Sequence, residues 1–181
     1  MSRRFGEIRQ IAFVVPDIDE AMRYWTETLG IGPFFVKRAI VFSDFQYRGH
    51  AAISPRISIA LANSGALQIE LIEQHDDVPS IYRDFLSSGR SGLQHVSAWL
   101  TCAEFDRLKE TLVHSGIEIA QEGTVPSSGA RVAYFATENG SGSFIFEISD
   151  LRDPRHAARI QGIADASRSW DGTHPVHEGA A

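Results

Sequence analysis

Four polar residues stand inside otherwise apolar runs of this sequence. Gln10 lies in Ile8–Val15, Glu70 in Leu67–Glu73, His95 in Leu93–Leu100 and Glu147 in Ser143–Ser149. Two carboxylates balance the charge of a divalent cation, and a glutamine oxygen and an imidazole nitrogen complete a four-donor set. Such a set is hard and oxygen-rich, and it suits Zn²⁺, Ni²⁺, Co²⁺, Mn²⁺ or Mg²⁺ without choosing among them. Each residue taken singly has an ordinary reading as well. A lone strand glutamate commonly faces solvent, a lone strand histidine is commonly a hydrogen-bonded structural residue, and Gln68 is as available as Glu70.

Strand alternation sorts these residues by face. Gln10 shares a face with Ala12 and Val14, Glu70 with Gln68 and Ile72, His95 with Ser97 and Trp99, and Glu147 with Ile145 and Ser149. If that face were a closed core, two unpaired carboxylates would be costly. If it were open to water, Trp99 and the aromatic residues Phe34, Phe35, Phe42, Phe45 and Tyr47 would be oddly placed. A concave pocket holding a cation satisfies both constraints.

The elements that position these residues repeat. The run Ile8–Val15 is a strand broken by Pro16 and Asp17. Asp17 and Glu20 have the spacing of a helix-opening capping box, and Ala21, Tyr24, Trp25 and Leu29 form an apolar stripe ended by Gly30. Strands are expected at Phe34–Phe42, Ile57–Ala62 and Leu67–Glu73, then a short helix at Ser80–Leu86. The pattern restarts with Leu93–Leu100. A second capping box at Thr101 and Glu104 opens a helix striped by Phe105, Leu108, Leu112 and Val113, and strands follow at Ile117–Gln121, Arg131–Ala136 and Ser143–Ser149. The chain thus reads as α+β, with two βαβββ modules at residues 7–73 and 92–150, a linker with a short helix at 74–91 and a polar tail at 151–181. The tail packs either on the domain or on a partner, and its His156, His174 and His177 lack a tight ligand spacing.

Composition narrows the functional classes. The 181 residues are 43% hydrophobic and 22% charged, ordinary for a globular chain. A net charge of −6 opposes general attraction to nucleic acid or an acidic membrane. No apolar run approaches a membrane span, and MSRRFGEIRQ carries no apolar signal segment. The single cysteine, Cys102, excludes an internal disulfide and a multi-cysteine zinc site. The expected location is the cytoplasm.

The segments IRQIAFVVPDIDEAMRYWTETLG, LQIELIE, GLQHVSAWL and FIFEISD together resemble the vicinal oxygen chelate superfamily, over about Glu7–Asp150. That superfamily includes glyoxalase I, methylmalonyl-CoA epimerase, extradiol dioxygenases and bleomycin- and fosfomycin-resistance proteins. The resemblance implies paired βαβββ modules in one cupped mixed sheet around a metal ion. By position the ligands would be Gln10, Glu70, His95 and Glu147, with Glu147 the catalytic base and Glu70 a ligand and second base. It implies a small-molecule substrate and a divalent-metal-dependent isomerase, epimerase or lyase that takes a proton next to a chelated carbonyl or enediolate oxygen. A homodimer is the expected assembly.

Trp99, Arg131 and Tyr47 are candidate substrate contacts, and Cys102 is read as structural. Val14 and Ser91 stand where glyoxalase I enzymes commonly carry arginines, which weakens glutathione as a substrate. Arg56–Asn63 contains no acid where methylmalonyl-CoA epimerases carry a further base, which weakens a two-base mechanism. The general character is nevertheless nearer the epimerase-like branch than the resistance proteins. Two other readings stand beside the metalloenzyme: a metal-independent protein sequestering an aromatic or lipophilic compound, and a ring-cleaving dioxygenase. The one-histidine, two-glutamate set argues against the dioxygenase.

Overall fold

The computed structural model describes residues 2–138, 144–151 and 154–179. The first module comprises β1 (Gln10–Val14), α1 (Ile18–Arg23), β2 (Phe34–Ile40), β3 (Ser43–Tyr47), β4 (His50–Ala51), β5 (Ile57–Ser64) and β6 (Leu67–Gln74). Helix α2 (Ile81–Ser87) leads to the second module: β7 (Gly92–Leu100), α3 (Cys102–His114), β8 (Ile119–Val125), β9 (Ala130–Phe135) and β10 (Ile145–Asp150). Helix α4 (Pro154–Ser169) and β11 (Val176–Glu178) follow.

The strands form one sheet in the order β11-β2-β5-β6-β1-β7-β10-β9-β8-β3-β4. Outward from a central seam, where β1 and β7 pair antiparallel, one half runs β1, β6, β5, β2 and the other β7, β10, β9, β8, to whose edge β3 and β4 of the first module add. Strands β2 and β3 stand near opposite ends of this order, yet only Val41 and Phe42 separate Ile40 from Ser43. Three peptide steps span roughly 11 Å at most, so the sheet must curl until its ends approach. The cup therefore closes within one chain, with β3 hydrogen-bonded to β8 as the closing seam.

Alternation assigns the apolar residues to three clusters. Ile18 and Met22 of α1 cover Phe34, Val36, Ile69 and Leu71 on one outer face. Phe105 and Leu112 of α3 cover Val96, Ala98, Phe146 and Ile148 on the other. Ala12, Val14, Ile72, Val132 and Ile145 point inward, where Ile81, Tyr82 and Phe85 of α2 plug the cup.

Helix starts follow their caps. Asp17 Oδ1 accepts the Glu20 N–H at 2.8 Å, and Thr101 and Glu104 complete a reciprocal capping box. The α1 stripe differs from the periodicity. Tyr24 and Leu29 are exposed, and the burial falls instead on Ile18 and Met22. A π-helical turn at Tyr24–Thr28 continues α1 and shifts the register of its last residues.

The excursion around Tyr47 forms β3 and β4, and the polar tail is structured. Ile163 of α4 is buried, Ser167 Oγ accepts the Asn63 N–H on β5, and β11 adds parallel to the β2 edge. The Trp170 ring lies over Gly32, where a Cβ would come within 3.0 Å of it. The expected last strand begins at Ser143, which lies outside the described residues; β10 starts at Ile145.

Candidate metal centre

Register places the four residues in symmetric positions. Across the seam Gln10 pairs with Ser97 and Ala12 with His95, so a local twofold exchanges Gln10 with His95. Beside them, Ala12 pairs with Glu70 and Ser97 with Glu147, so the same twofold exchanges the two glutamates. Gln68, next to Gln10, has Ile145 as its counterpart next to His95. The symmetry thus separates Glu70 from Gln68.

All four side chains are buried: Gln10 is 6% exposed, Glu70 8%, His95 0% and Glu147 3%. His95 Nε2 lies 3.0 Å from Glu147 Oε2 and 3.5 Å from Glu70 Oε2. One donor atom from each of Glu70, His95 and Glu147 falls within 4.8 Å of the others. Gln10 Nε2 donates to Gln68 Oε1 at 2.8 Å, which leaves the Gln10 carbonyl oxygen as the donor atom for a cation.

His95 is held from behind. The Ile81 carbonyl can only accept, so the Gln94 amide nitrogen donates to it at 3.1 Å. That turns Gln94 Oε1 toward His95 Nδ1, 2.6 Å away, and Nδ1 carries the proton of that bond. Nε2 then faces the carboxylates. This is the arrangement that fixes tautomer and ring direction in metal-binding histidines. The Tyr134 and His95 rings pack edge to face with centroids 5.1 Å apart, and Tyr82 Oη donates to Tyr134 Oη at 2.8 Å.

Burial disfavours charge on His95, but the hydrogen bonds and negative charges of Glu147 and Glu70 outweigh it and raise its pKa to about 9. Burial also pushes the Glu70 carboxyl up, aided by the charge of Glu147 and opposed by His95. Even with His95 protonated, ionisation of both glutamates would leave one buried negative charge uncompensated. A divalent cation with neutral imidazole brings the sum to zero. Charge, donor chemistry and the direction of His95 Nε2 fit such an ion, with the Gln10 oxygen as the neutral fourth donor.

A cavity of about 110 Å³ adjoins the cluster. Gln10, Glu70, Glu147, Trp99 and Tyr134 line it, and α4 lies over it with Ile160 and Ile163. A larger groove of about 720 Å³ lies at the α2 end of the cup, where Ile81, Phe85, Gln94 and Ile145 line it, but none of Gln10, Glu70, His95 and Glu147 does. The chemistry therefore belongs to the smaller cavity.

Trp99 faces this cavity, whereas Arg131 and Tyr47 do not. Arg131 turns to the outer face, where it bonds Asp150 at 2.7 Å and Asp106 at 2.5 Å and lies over the Phe105 ring. Tyr47 donates to Asp84 at 2.6 Å on the rim of α2. Tyr134 and Gln94 were absent from the sequence reading. Alternation with Val132 could have revealed Tyr134. Gln94 could not be found so, because a bulge between Ala12 and Phe13 breaks the alternation beside it.

No helix among the described residues is long and apolar enough to cross a membrane. Comparison with curated proteins gives no match. In fold, the chain is similar to methylmalonyl-CoA epimerase from Mycobacterium tuberculosis, at 16% identity and a TM-score of 0.57, covering 87% of this chain and 95% of that one. A Streptomyces coelicolor methylmalonyl-CoA epimerase variant in complex with 2-nitronate-propionyl-CoA matches at 15% identity and a TM-score of 0.56, over 81% of this chain and 94% of that one. A methylmalonyl-CoA epimerase in complex with methylmalonyl-CoA and NH4+ matches at 15% and 0.56, over 83% and 99%. Residues 9–135 match the sequence profile of one family, a span that takes in Gln10, Glu70, His95 and both central strands. The chain belongs to the glyoxalase/bleomycin resistance protein/dioxygenase superfamily.

Proposed function

We propose that this chain is a divalent-metal-dependent isomerase, epimerase or lyase that removes a proton from carbon next to a carbonyl group of a small organic substrate. The observation that carries this reading is the convergence of Glu70, His95 and Glu147 within 4.8 Å beside Gln10 in a closed cup. Gln10, Glu70, His95 and Glu147 would hold the ion. When bound, a divalent ion supplies Lewis acidity that makes the neighbouring C–H more acidic.

The chain's residues do the remaining work. Glu147 is the base that accepts the proton and returns it. Glu70 is the second carboxylate able to do so, and burial raises its pKa, which favours its protonated form. Gln10 has no titratable proton near neutral pH and serves as a neutral donor. Ile59 and Leu61 of β5 and Trp99 exclude water from one wall of the cavity. That wall has no acid on β5, so the proton leaves and returns through Glu147 and Glu70 rather than through a base on β5.

The test is proton exchange in deuterated water with small carbonyl substrates, paired with elemental analysis. Solvent deuterium should enter the substrate in the metal-loaded protein and not in Glu147→Gln. Equal exchange in that variant contradicts the role of Glu147.

A further inference from the structure

Two cations line the cavity beside the proposed metal centre, and neither has an acidic partner among the described residues. Lys37 is one of only two lysines in the sequence. On β2 it alternates with Phe34 and Val36, which are buried beneath α1, so its side chain points into the cup, paired in register with Ile59 of β5. Arg159 reaches the same cavity from α4. His156, Arg159, Ile160 and Ile163 all line it, with the spacing of one helix face.

Seven other arginines among the described residues are paired with a carboxylate, as Arg38 is with Asp19 and Glu178, and Arg131 with Asp150. Around the cavity the only acids among the described residues are Glu70 and Glu147, which the metal reading already uses. The charge that acts on Lys37 is that of Arg159, of the same sign, and with burial it lowers the Lys37 pKa. Two like charges held in a partly buried cavity repel each other until an anion enters.

We propose that Lys37 and Arg159 form an anion-binding site for a second acidic group of the substrate, so that the substrate is a small carbonyl compound carrying a carboxylate or phosphate. This rests on the metal-dependent reading for the chelated carbonyl of the substrate, whereas the pair has no acidic partner among the described residues with or without the ion. Arg159 offers the planar fork that binds either oxyanion through two bonds, and Lys37 a point charge. At about 110 Å³ the cavity is below the ~300 Å³ at which drug-sized pockets begin, which restricts the enclosed part of the ligand to a small acid. Because Arg159 sits on α4, the helix that covers the cup, the anion would also hold that cover in place.

The experiment has two arms. In the first, Mn²⁺-loaded protein is titrated with pyruvate, which offers a chelating head alone. It is then titrated with oxaloacetate, 2-oxoglutarate and 2-oxoadipate, which add a second carboxylate at increasing reach, and with 3-phosphohydroxypyruvate, which keeps the 2-oxo acid head and adds a phosphate. At least one diacid should bind ten times more tightly than pyruvate. Lys37→Met and Arg159→Leu should each remove that gain and leave pyruvate binding unchanged, and Lys37→Arg should restore it. Preference for the dicarboxylates or for 3-phosphohydroxypyruvate distinguishes the two acids.

The second arm uses metal-free protein and inorganic phosphate at constant ionic strength. Phosphate should raise the melting temperature of the wild type and not that of the Lys37→Met/Arg159→Leu double variant. Absence of Mn²⁺ uptake would contradict the metal reading and leave this arm to decide the anion site. Mn²⁺ uptake with no diacid preference, or phosphate stabilisation unaltered in the double variant, would overturn the anion site.

Discussion

His95 Nδ1 donates to the side-chain carbonyl of its own chain neighbour, Gln94, at 2.6 Å, while Nε2 lies between two carboxylates. Neighbouring residues of a regular strand point to opposite faces. The bulge at this point of the β1–β7 ladder lets both turn inward. Gln94→Leu removes the acceptor and keeps the size. It should weaken divalent-metal binding by about 10–100-fold, the usual loss when a histidine ligand loses its supporting partner. Titration with Mn²⁺ or Zn²⁺ checks this, and an unchanged affinity would remove Gln94 from the account.

Metal binding should depend on pH through His95. Its pKa of about 9 in the metal-free protein means that a proton occupies Nε2 at neutral pH and must leave as the ion enters. Affinity should rise about tenfold per pH unit up to about pH 9, as far as this one proton governs it. Calorimetry in buffers of different ionisation enthalpy counts the released proton.

Stability of the metal-free protein should follow the opposite course. The folded pKa of His95 is raised above the ordinary 6.5, so its contribution is complete below that pH and is lost as pH rises through about 9. The raised carboxyl of Glu70 acts in the same direction, since the folded state also favours its protonated form. Thermal melting of metal-free protein between pH 6 and 10 should show a falling midpoint, and saturating metal should flatten that fall.

Arg131→Leu separates structure from substrate binding. Asp150 is fully buried, and loss of the charge-assisted bond from the Arg131 side chain should destabilise the fold by about 1.5–3 kcal/mol. Because Arg131 lies outside the cavity, substrate affinity of the folded fraction should not change. Denaturant unfolding gives the first quantity and ligand titration the second.

The strand faces were legible because alternation is a local property. Gln10, Glu70, His95 and Glu147 could be assigned to one face from their neighbours alone, and the repeat suggested their equivalence. The seam register that makes Gln10 correspond to His95 is a long-range pairing with no local signature. Gln94 was hidden by the bulge. Helix α4 was hidden by its composition: the face over the cavity mixes His156 and Arg159 with Ile160 and Ile163, so no apolar stripe stood out. Arg131 stood as a candidate substrate contact because Asp106 and Asp150, which engage it, are 25 and 19 residues away in sequence.

The central claim is that Gln10, Glu70, His95 and Glu147 hold a divalent cation. Equilibrium dialysis followed by elemental analysis measures this directly, using wild type beside Glu70→Gln and Glu147→Gln variants confirmed as folded. The account predicts one tightly held divalent ion per wild-type chain and its loss from both variants at the same free-metal concentration. A wild-type chain that retains none of Zn²⁺, Ni²⁺, Co²⁺, Mn²⁺ or Mg²⁺, or variants that retain it as well as wild type, would contradict it.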